Sequence, residues 1–198
     1  MNKNNYRTNY RRPEKDIIPH EFYSTNKDSV RTFLTEFLKS HSIEYAWEPA
    51  CGLGNISKVC EEFDIDIVAS DLIDRGYGLG NLDFLKATML PNLKLDTIIT
   101  NPPFKQAVSF IEKAFELKPK RFIIMYLKLT FLEGKERYKM FQKYQPAEIW
   151  LHPNRQACSN IGAEEFENGG ATAYCWYVWR TNKGMNPVFP ELHWLPIN

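Results

Sequence analysis

IEYAWEPACGLGNISKVCEEFDIDIVASD occupies residues 43–71. Its first five residues, IEYAW, are an apolar run that predicts a strand. EPACGLGN (48–55) follows as a turn. Gly52 and Gly54 let the backbone bend sharply there and approach a ligand closely. ISKVCEEF then has the character of a helix, and DIDIVAS (64–70) that of a buried strand ending at Asp71. Asp71 lies 19 residues beyond Gly52. An acid at about that distance, at the end of the next strand, is placed to take both hydroxyls of a ribose. The stretch therefore predicts a strand–helix–strand unit with an adenosine-type ligand at its carboxyl end.

The same alternation continues outward. NKDSVRTFLTEFLKSH, upstream, carries Val30, Phe33, Leu34, Phe37 and Leu38 at helical spacing, with Thr25 or Asn26 as the cap. Downstream, DTIIT (96–100) and RFIIMYLK (121–128) read as strands separated by the helix KQAVSFIEKAFEL (105–117). LEGKERYKMFQKY (132–144) reads as a polar helix, AEIWLH (147–152) as a strand and 153–170 as a long loop. ATAYCWYVWR (171–180) reads as a long aromatic strand. Pro187, Pro190 and Pro196 predict a tail that wraps the body without forming a further element. Strands alternating with helices imply an α/β fold: a mainly parallel twisted sheet, helices on both faces, and an antiparallel strand at the edge. Ligands of such sheets bind beyond the carboxyl ends of the strands.

Composition narrows the class. The 198 residues are 43% apolar and 25% charged, with a net charge of +1, as in an ordinary globular protein. Residues 1–20 form a basic arm, with Lys3, Arg7, Arg11, Arg12 and Lys15 against Glu14 and Asp16; residues 21–198 read as a single domain. The arm suits contact with phosphates or a solvated tail. Cys51, Cys60, Cys158 and Cys175 and the four histidines show no zinc-ligand spacing, so no metal is expected. No apolar run reaches about 18 residues and the N-terminus is polar, so the expectation is a reduced, cytoplasmic protein away from membranes.

A dinucleotide turn reads GxGxxG or GxGxxA, whereas Ser57 holds the third position here. Glu48, just before the turn, suits a positively charged amino-acid group better than a pyrophosphate. Both features favour S-adenosylmethionine over NAD. Further along, Asp83 can accept from an adenine amino group and Phe84 can cover the ring, or the pair is a surface acid beside a core aromatic.

The strand DTIIT runs into Asn101-Pro102-Pro103-Phe104. Glycine turn, acid, Asp-Phe and NPPF in that order resemble the S-adenosylmethionine-dependent amino methyltransferases, adenine-N6 enzymes above all. FLEGKERYKMF (131–141) and ATAYCWYVW (171–179) resemble later blocks of small phage and prophage members that lack a separate target-recognition domain. The resemblance implies a Rossmann-like methyltransferase fold, S-adenosyl-L-methionine as cofactor and nucleic acid, DNA first, as partner. It implies a cofactor site made of Phe22, Tyr23, Ser24, Thr25, Glu48, Pro49, Ala50, Cys51, Gly52, Gly54, Asn55, Asp71, Leu72, Asp83, Phe84 and Asn101. Thr25 is followed by Asn26 where the family often has proline.

The implied catalytic residues are Asn101, Pro102, Pro103 and Phe104. A ring-conjugated amine is a poor nucleophile and needs acceptors that hold both N–H bonds. The Asn101 oxygen is one and the Pro102 carbonyl the other, because two prolines stiffen the backbone and add no competing N–H. Phe104 can stack on a base. NPPF also occurs in RNA and glutamine methyltransferases. An RNA or protein-amide substrate, a NAD(P)-linked oxidoreductase and a non-catalytic binding protein are the alternatives. Cys51 reads as small filler, and Trp176, Tyr177 and Trp179 as sheet packing. Glu133, Arg137 and Arg155 are substrate contacts or surface charges.

Overall fold

The structure, a computed structural model, describes residues 23–88, 94–154, 159–160, 173–182 and 189–197. The basic arm, Phe22, Arg155 and most of the 153–170 loop lie outside the described residues. In chain order the elements are β1 (Tyr23–Ser24), α1 (Lys27–Phe37), β2 (Tyr45–Glu48), α2 (Asn55–Glu62), β3 (Asp66–Ala69) and β4 (Thr97–Thr100). There follow α3 (Ala107–Leu117), β5 (Phe122–Lys128), α4 (Lys135–Lys143), β6 (Glu148–Leu151), β7 (Ser159–Asn160), β8 (Tyr174–Arg180) and β9 (Glu191–Trp194). Short 3₁₀ turns cover Phe84–Lys86, Phe104–Gln106 and Leu129–Leu132.

Seven strands form one sheet in the order β3-β2-β4-β5-β8-β6-β9, and β1 pairs antiparallel with β7 in a separate ribbon. β3, β2, β4 and β5 are parallel neighbours, as the strand–helix alternation predicts. Strand residues alternate between two cores. Ala46, Ile99, Ile124, Tyr126, Trp176 and Val178 pack with Val30, Phe33, Leu34 and Phe37 of α1 and Ile56 and Val59 of α2. Their neighbours Trp47, Ile98, Ile123, Met125, Tyr177 and Trp179 face Phe110, Ile111 and Ala114 of α3 and Met140 of α4. Both faces of the sheet are therefore covered, which is why its strands read as unbroken apolar runs. Asn26 caps α1, accepting from the Asp28 N–H at 2.8 Å.

Two expectations need correction. The antiparallel strand, β8, is not at the edge: it lies between β5 and β6 and pairs with all seven residues of β5. The two apolar faces of YCWYVWR show that both faces of the sheet are covered there, but which strands flank it is set by backbone pairing with β5 and β6. The tail does build an element, since β9 closes the sheet by pairing parallel to β6. Its prolines flank the pairing segment, and Glu191 N–H to Ala147 O and Leu195 N–H to Leu151 O, both 2.9 Å, bracket the ladder. An edge strand tolerates proline at its ends, where no ladder bond is lost. No helix among the described residues is long and apolar enough to cross a membrane.

Candidate active site

The parallel strands end side by side. Glu48 closes β2, Asp71 lies just past β3, and Asn101 follows β4. Between them opens a cavity of about 450 Å³ lined by Ser24, Thr25, Glu48, Pro49, Ala50, Cys51, Gly52, Asn55, Asp71, Leu72, Asp83, Phe84, Asn101 and Pro103. Fourteen of the residues singled out from the sequence thus share one cavity, at the strand ends where this class of sheet binds ligands. Gly54, Pro102 and Phe104 do not line it.

The glycine turn is built by two different demands. Gly52 has φ 55°, and its N–H donates to Asp71 Oδ2 at 2.8 Å, which ties the turn to the neighbouring strand end. Gly54, at φ 77°, is the N-cap of α2, and a Cβ there would stand 2.1 Å from the Tyr77 ring. Glycine is required there by packing and backbone conformation. Asp71 also accepts from the Ile73 N–H at 2.9 Å and pairs with Arg75 at 2.8 Å, so the expected ribose acid is held rigidly by its own loop.

Glu48 is 2% exposed. It accepts from the Ser57 N–H at 2.9 Å and from the Ser57 hydroxyl. Burial nevertheless raises its pKa to about 8, with Asp71 adding to the rise. Ser57, read from sequence as the position that breaks a dinucleotide pattern, thus holds the acid at the head of the turn. Burial also pushes the Cys51 thiol up to about 12, so Cys51 is inert filler.

On the far side of the cavity, Asp83 is held below the ordinary carboxylate range by the Lys86 ammonium, despite some burial cost, and accepts from the Leu85 N–H at 3.1 Å. Phe84, expected to cover a purine, is 2% exposed and packs edge-on against Trp47 and tilted on Phe110. It forms a wall continuous with the core. Leu72, 47% exposed, is an apolar group on the cavity rim. Leu82, Leu85, Phe110 and Ile56 also line the cavity and were not read from the sequence, where they look like ordinary core positions.

The segment before α1 joins the two ends of the site. Asn55, expected to touch cofactor, donates its side-chain amide to Ser24 Oγ and to Thr25 O, both at 2.8 Å. Thr25, buried, accepts from the Asn101 side-chain N–H at 3.0 Å. Ser24 pairs with Ser159, so a piece of the long loop reaches the cavity rim. In the tetrad itself, the Pro103 carbonyl accepts from the Gln106 N–H at 2.9 Å, while Pro102 is buried and its carbonyl is not part of that turn. Phe104 does not line the cavity; its ring is tilted against Tyr174 at 6.1 Å, with the Lys128 ammonium 4.5 Å from its centroid.

Other candidates fall elsewhere. Trp176, Tyr177 and Trp179 are fully buried, consistent with sheet packing. Arg137 donates to the carbonyls of Glu133 and Thr130 and lies 5.4 Å from the Phe131 ring centroid, which accounts for it structurally. His152 is buried at the carboxyl end of β6 beneath α1, with Ser29 Oγ at 2.7 Å, and burial lowers its pKa to about 4. Among the described residues no group of three or more His, Cys, Asp or Glu could hold a metal ion.

No protein-family model and no curated protein matches the sequence. Solved structures do match the fold. A modification subunit assigned to a type I restriction enzyme of Vibrio vulnificus YJ016 is 14% identical with a TM-score of 0.58, over 89% of this chain and 48% of that one. The chain thus spans about half the length of that subunit. A protein assigned as an RNA methyltransferase from Pyrococcus horikoshii is 13% identical, TM-score 0.58, over 86% of this chain and 90% of that one. A SAM-dependent methyltransferase from Archaeoglobus fulgidus is 12% identical, TM-score 0.50, over 78% and 94%. At such identities the likeness is one of fold: the chain has the Rossmann-like fold that these methyltransferases share.

Proposed function

We propose that the protein is an S-adenosylmethionine-dependent N-methyltransferase that modifies the N6 amino group of adenine in DNA. The observation that carries this reading is the meeting of Asn101 with the strand-end cavity through Thr25. An amine-holding side chain there stands beside a site with the acids and glycine turn expected for an adenosine ligand. The fold shared with a restriction-enzyme modification subunit and with a protein assigned as an RNA methyltransferase agrees with it.

The fit of the cofactor rests on the chemistry of the lining. Glu48 offers a carboxylate to an ammonium, Asp71 to a ribose, Asp83 to an adenine amino group, and Leu72 an apolar cover. S-Adenosylmethionine, when bound, supplies an electrophilic methyl on a sulfonium centre. The chain's own residues do the rest. The Asn101 amide oxygen carries two lone pairs and accepts one N–H of the target amine. The Pro102 carbonyl accepts the other, which aims the nitrogen lone pair at the methyl. Phe104 stacks on a base turned out of the helix, since the amino group cannot meet the methyl within a duplex. Positioning and electrostatics carry the rate, and the proton leaves readily because an N-methylated ammonium is far more acidic than the neutral amine.

The test is methyl transfer from labelled S-adenosylmethionine to single- and double-stranded DNA, to RNA of the same sequence and to protein, followed by mass spectrometry of the hydrolysed products. N6-methyldeoxyadenosine, lost in Asn101→Ala while cofactor still binds, is the expected result. Transfer only to RNA or to a protein amide would replace the substrate. Binding of NAD(P) with no response to S-adenosylmethionine would remove the class.

A further inference from the structure

Lys128 ends β5, and its position follows from register. Thr100, the last residue of β4, pairs with Met125, so β5 runs three residues past the point where β4 turns off into Asn101-Pro102-Pro103-Phe104. Phe122, Ile124 and Tyr126 face the α1 core, and Lys128 continues that alternation. Its half-buried side chain therefore emerges on the same face as Tyr174 and Phe104, and its ammonium lies 4.5 Å from the Phe104 ring centroid. Tyr174, its partner across the strand pair, also packs on Phe104. Among the described residues Lys128 has no carboxylate partner within ion-pair distance. An ammonium laid on an aromatic face is held more weakly than one in a charge-assisted hydrogen bond to a phosphate oxygen.

We infer that Lys128 is a substrate-binding residue: it contacts a backbone phosphate beside the target nucleotide and rests on Phe104 when no nucleic acid is bound. The inference deepens the proposed function and rests on it, because it takes Phe104 as the surface for the target base. Entry of a base onto Phe104 displaces the ammonium. The exposed phosphate of the turned-out nucleotide then gives that cation a partner within reach of a flexible four-carbon stem.

The experiment measures binding of fluorescent 16-nucleotide single- and double-stranded DNA to the full chain, saturated with S-adenosylhomocysteine, across a series of KCl concentrations. Wild type, Lys128→Gln and Lys128→Arg are compared. One lost phosphate contact lowers the slope of log K against log salt by about 0.9 for duplex and about 0.7 for single strands, or roughly five- to tenfold in affinity at 0.1 M salt. Lys128→Gln should show that loss, with a raised KM for DNA, little change in kcat and S-adenosylhomocysteine affinity within twofold by calorimetry. Lys128→Arg should keep the wild-type slope. Tight DNA binding by wild type with the same slope in Lys128→Gln overturns the role of Lys128 and leaves the methyltransferase reading standing. A wild-type protein that binds the cofactor product but neither binds nor methylates DNA or RNA overturns the nucleic-acid reading and the role of Lys128 with it.

Discussion

Asn101 donates its side-chain N–H to Thr25 Oγ1 at 3.0 Å across 76 residues of sequence. The bond joins the end of β4 to the segment that opens α1, and Asn55 pins that segment from the start of α2. It also orients the Asn101 amide, because the nitrogen is fixed on Thr25 and the oxygen must point the other way.

Replacing Thr25 by valine keeps the shape and removes the acceptor. A half-buried amide N–H that loses this acceptor costs up to about 1–3 kcal/mol. Single-turnover methyl transfer should fall roughly tenfold or more, with cofactor affinity nearly unchanged, and Thr25→Ser should restore most of the rate. A wild-type rate in Thr25→Val would show that Asn101 is held by other contacts.

The pH dependence of cofactor binding should report Glu48. Its carboxyl titrates near 8 because it is buried, and an ammonium-bearing ligand binds the ionised form better. Affinity for S-adenosylhomocysteine should therefore rise between pH 6 and about 8, by at most tenfold per unit, and the rise should vanish in Glu48→Gln. Folding stability should run the other way. Between the ordinary carboxylate pKa of about 4.3 and 8 the folded chain holds a proton that the unfolded chain has lost, so stability falls as pH rises through this window. Thermal melts of wild type and Glu48→Gln from pH 5 to 9 check both signs.

Gly54→Ala meets two separate obstacles. The φ of 77° costs an L-residue about 1–2 kcal/mol, and the new methyl drives Tyr77 off its place over the Lys58 ammonium, now 4.8 Å from the ring centroid. Urea denaturation should show a loss of about 2–3 kcal/mol by summing the backbone term and a modest packing term. Adding Tyr77→Ala should remove the steric part of the penalty and leave the backbone part.

Far from the site, Glu148 accepts from Arg180 at 2.6 Å and from the Trp150 indole at 2.9 Å, and lies 3.2 Å from His41 Nε2. Burial would raise its carboxyl, but the hydrogen bonds from His41, Arg180 and Trp150 win and hold it at about 2. His41 is raised above its ordinary value chiefly by its hydrogen bond to Glu148. The Glu148 contribution is present above about 4.3 and lost as pH falls through about 2. The His41 contribution is complete below about 6.5 and lost as pH rises through its raised value. The gap in stability between wild type and Glu148→Gln should thus be largest between about pH 4.5 and 6.5, on the order of 3 kcal/mol for a broken buried pair. It should shrink toward pH 9 without vanishing, since Arg180 stays charged. Denaturant titrations at pH 5.5 and 9 decide it.

Residues 43–71 by themselves determined the strand–helix–strand unit, because its signals are local: apolar runs of strand length, glycines at the turn, an acid at the next strand end. NPPF after DTIIT was equally legible, since two prolines can only end a strand. What no local pattern could fix was partnership. β8 and β9 were misplaced from sequence because the position of a strand in a sheet depends on which backbone edge is left unpaired, and that is settled by all the other strands together. The same holds inside the site. Phe84 and Phe104 look alike as aromatics beside polar residues, yet Trp47 and Phe110 draw one into the core while Lys128 and Tyr174 meet the other outside the cavity. Glu48 was readable as an acid at the turn, but its shifted proton affinity was not, because burial is a property of the packed chain. The Thr25–Asn101 bond is likewise tertiary: each residue was legible as a site residue, and only the parallel packing of β2 beside β4, with α1 laid across them, brings the two side chains within 3.0 Å.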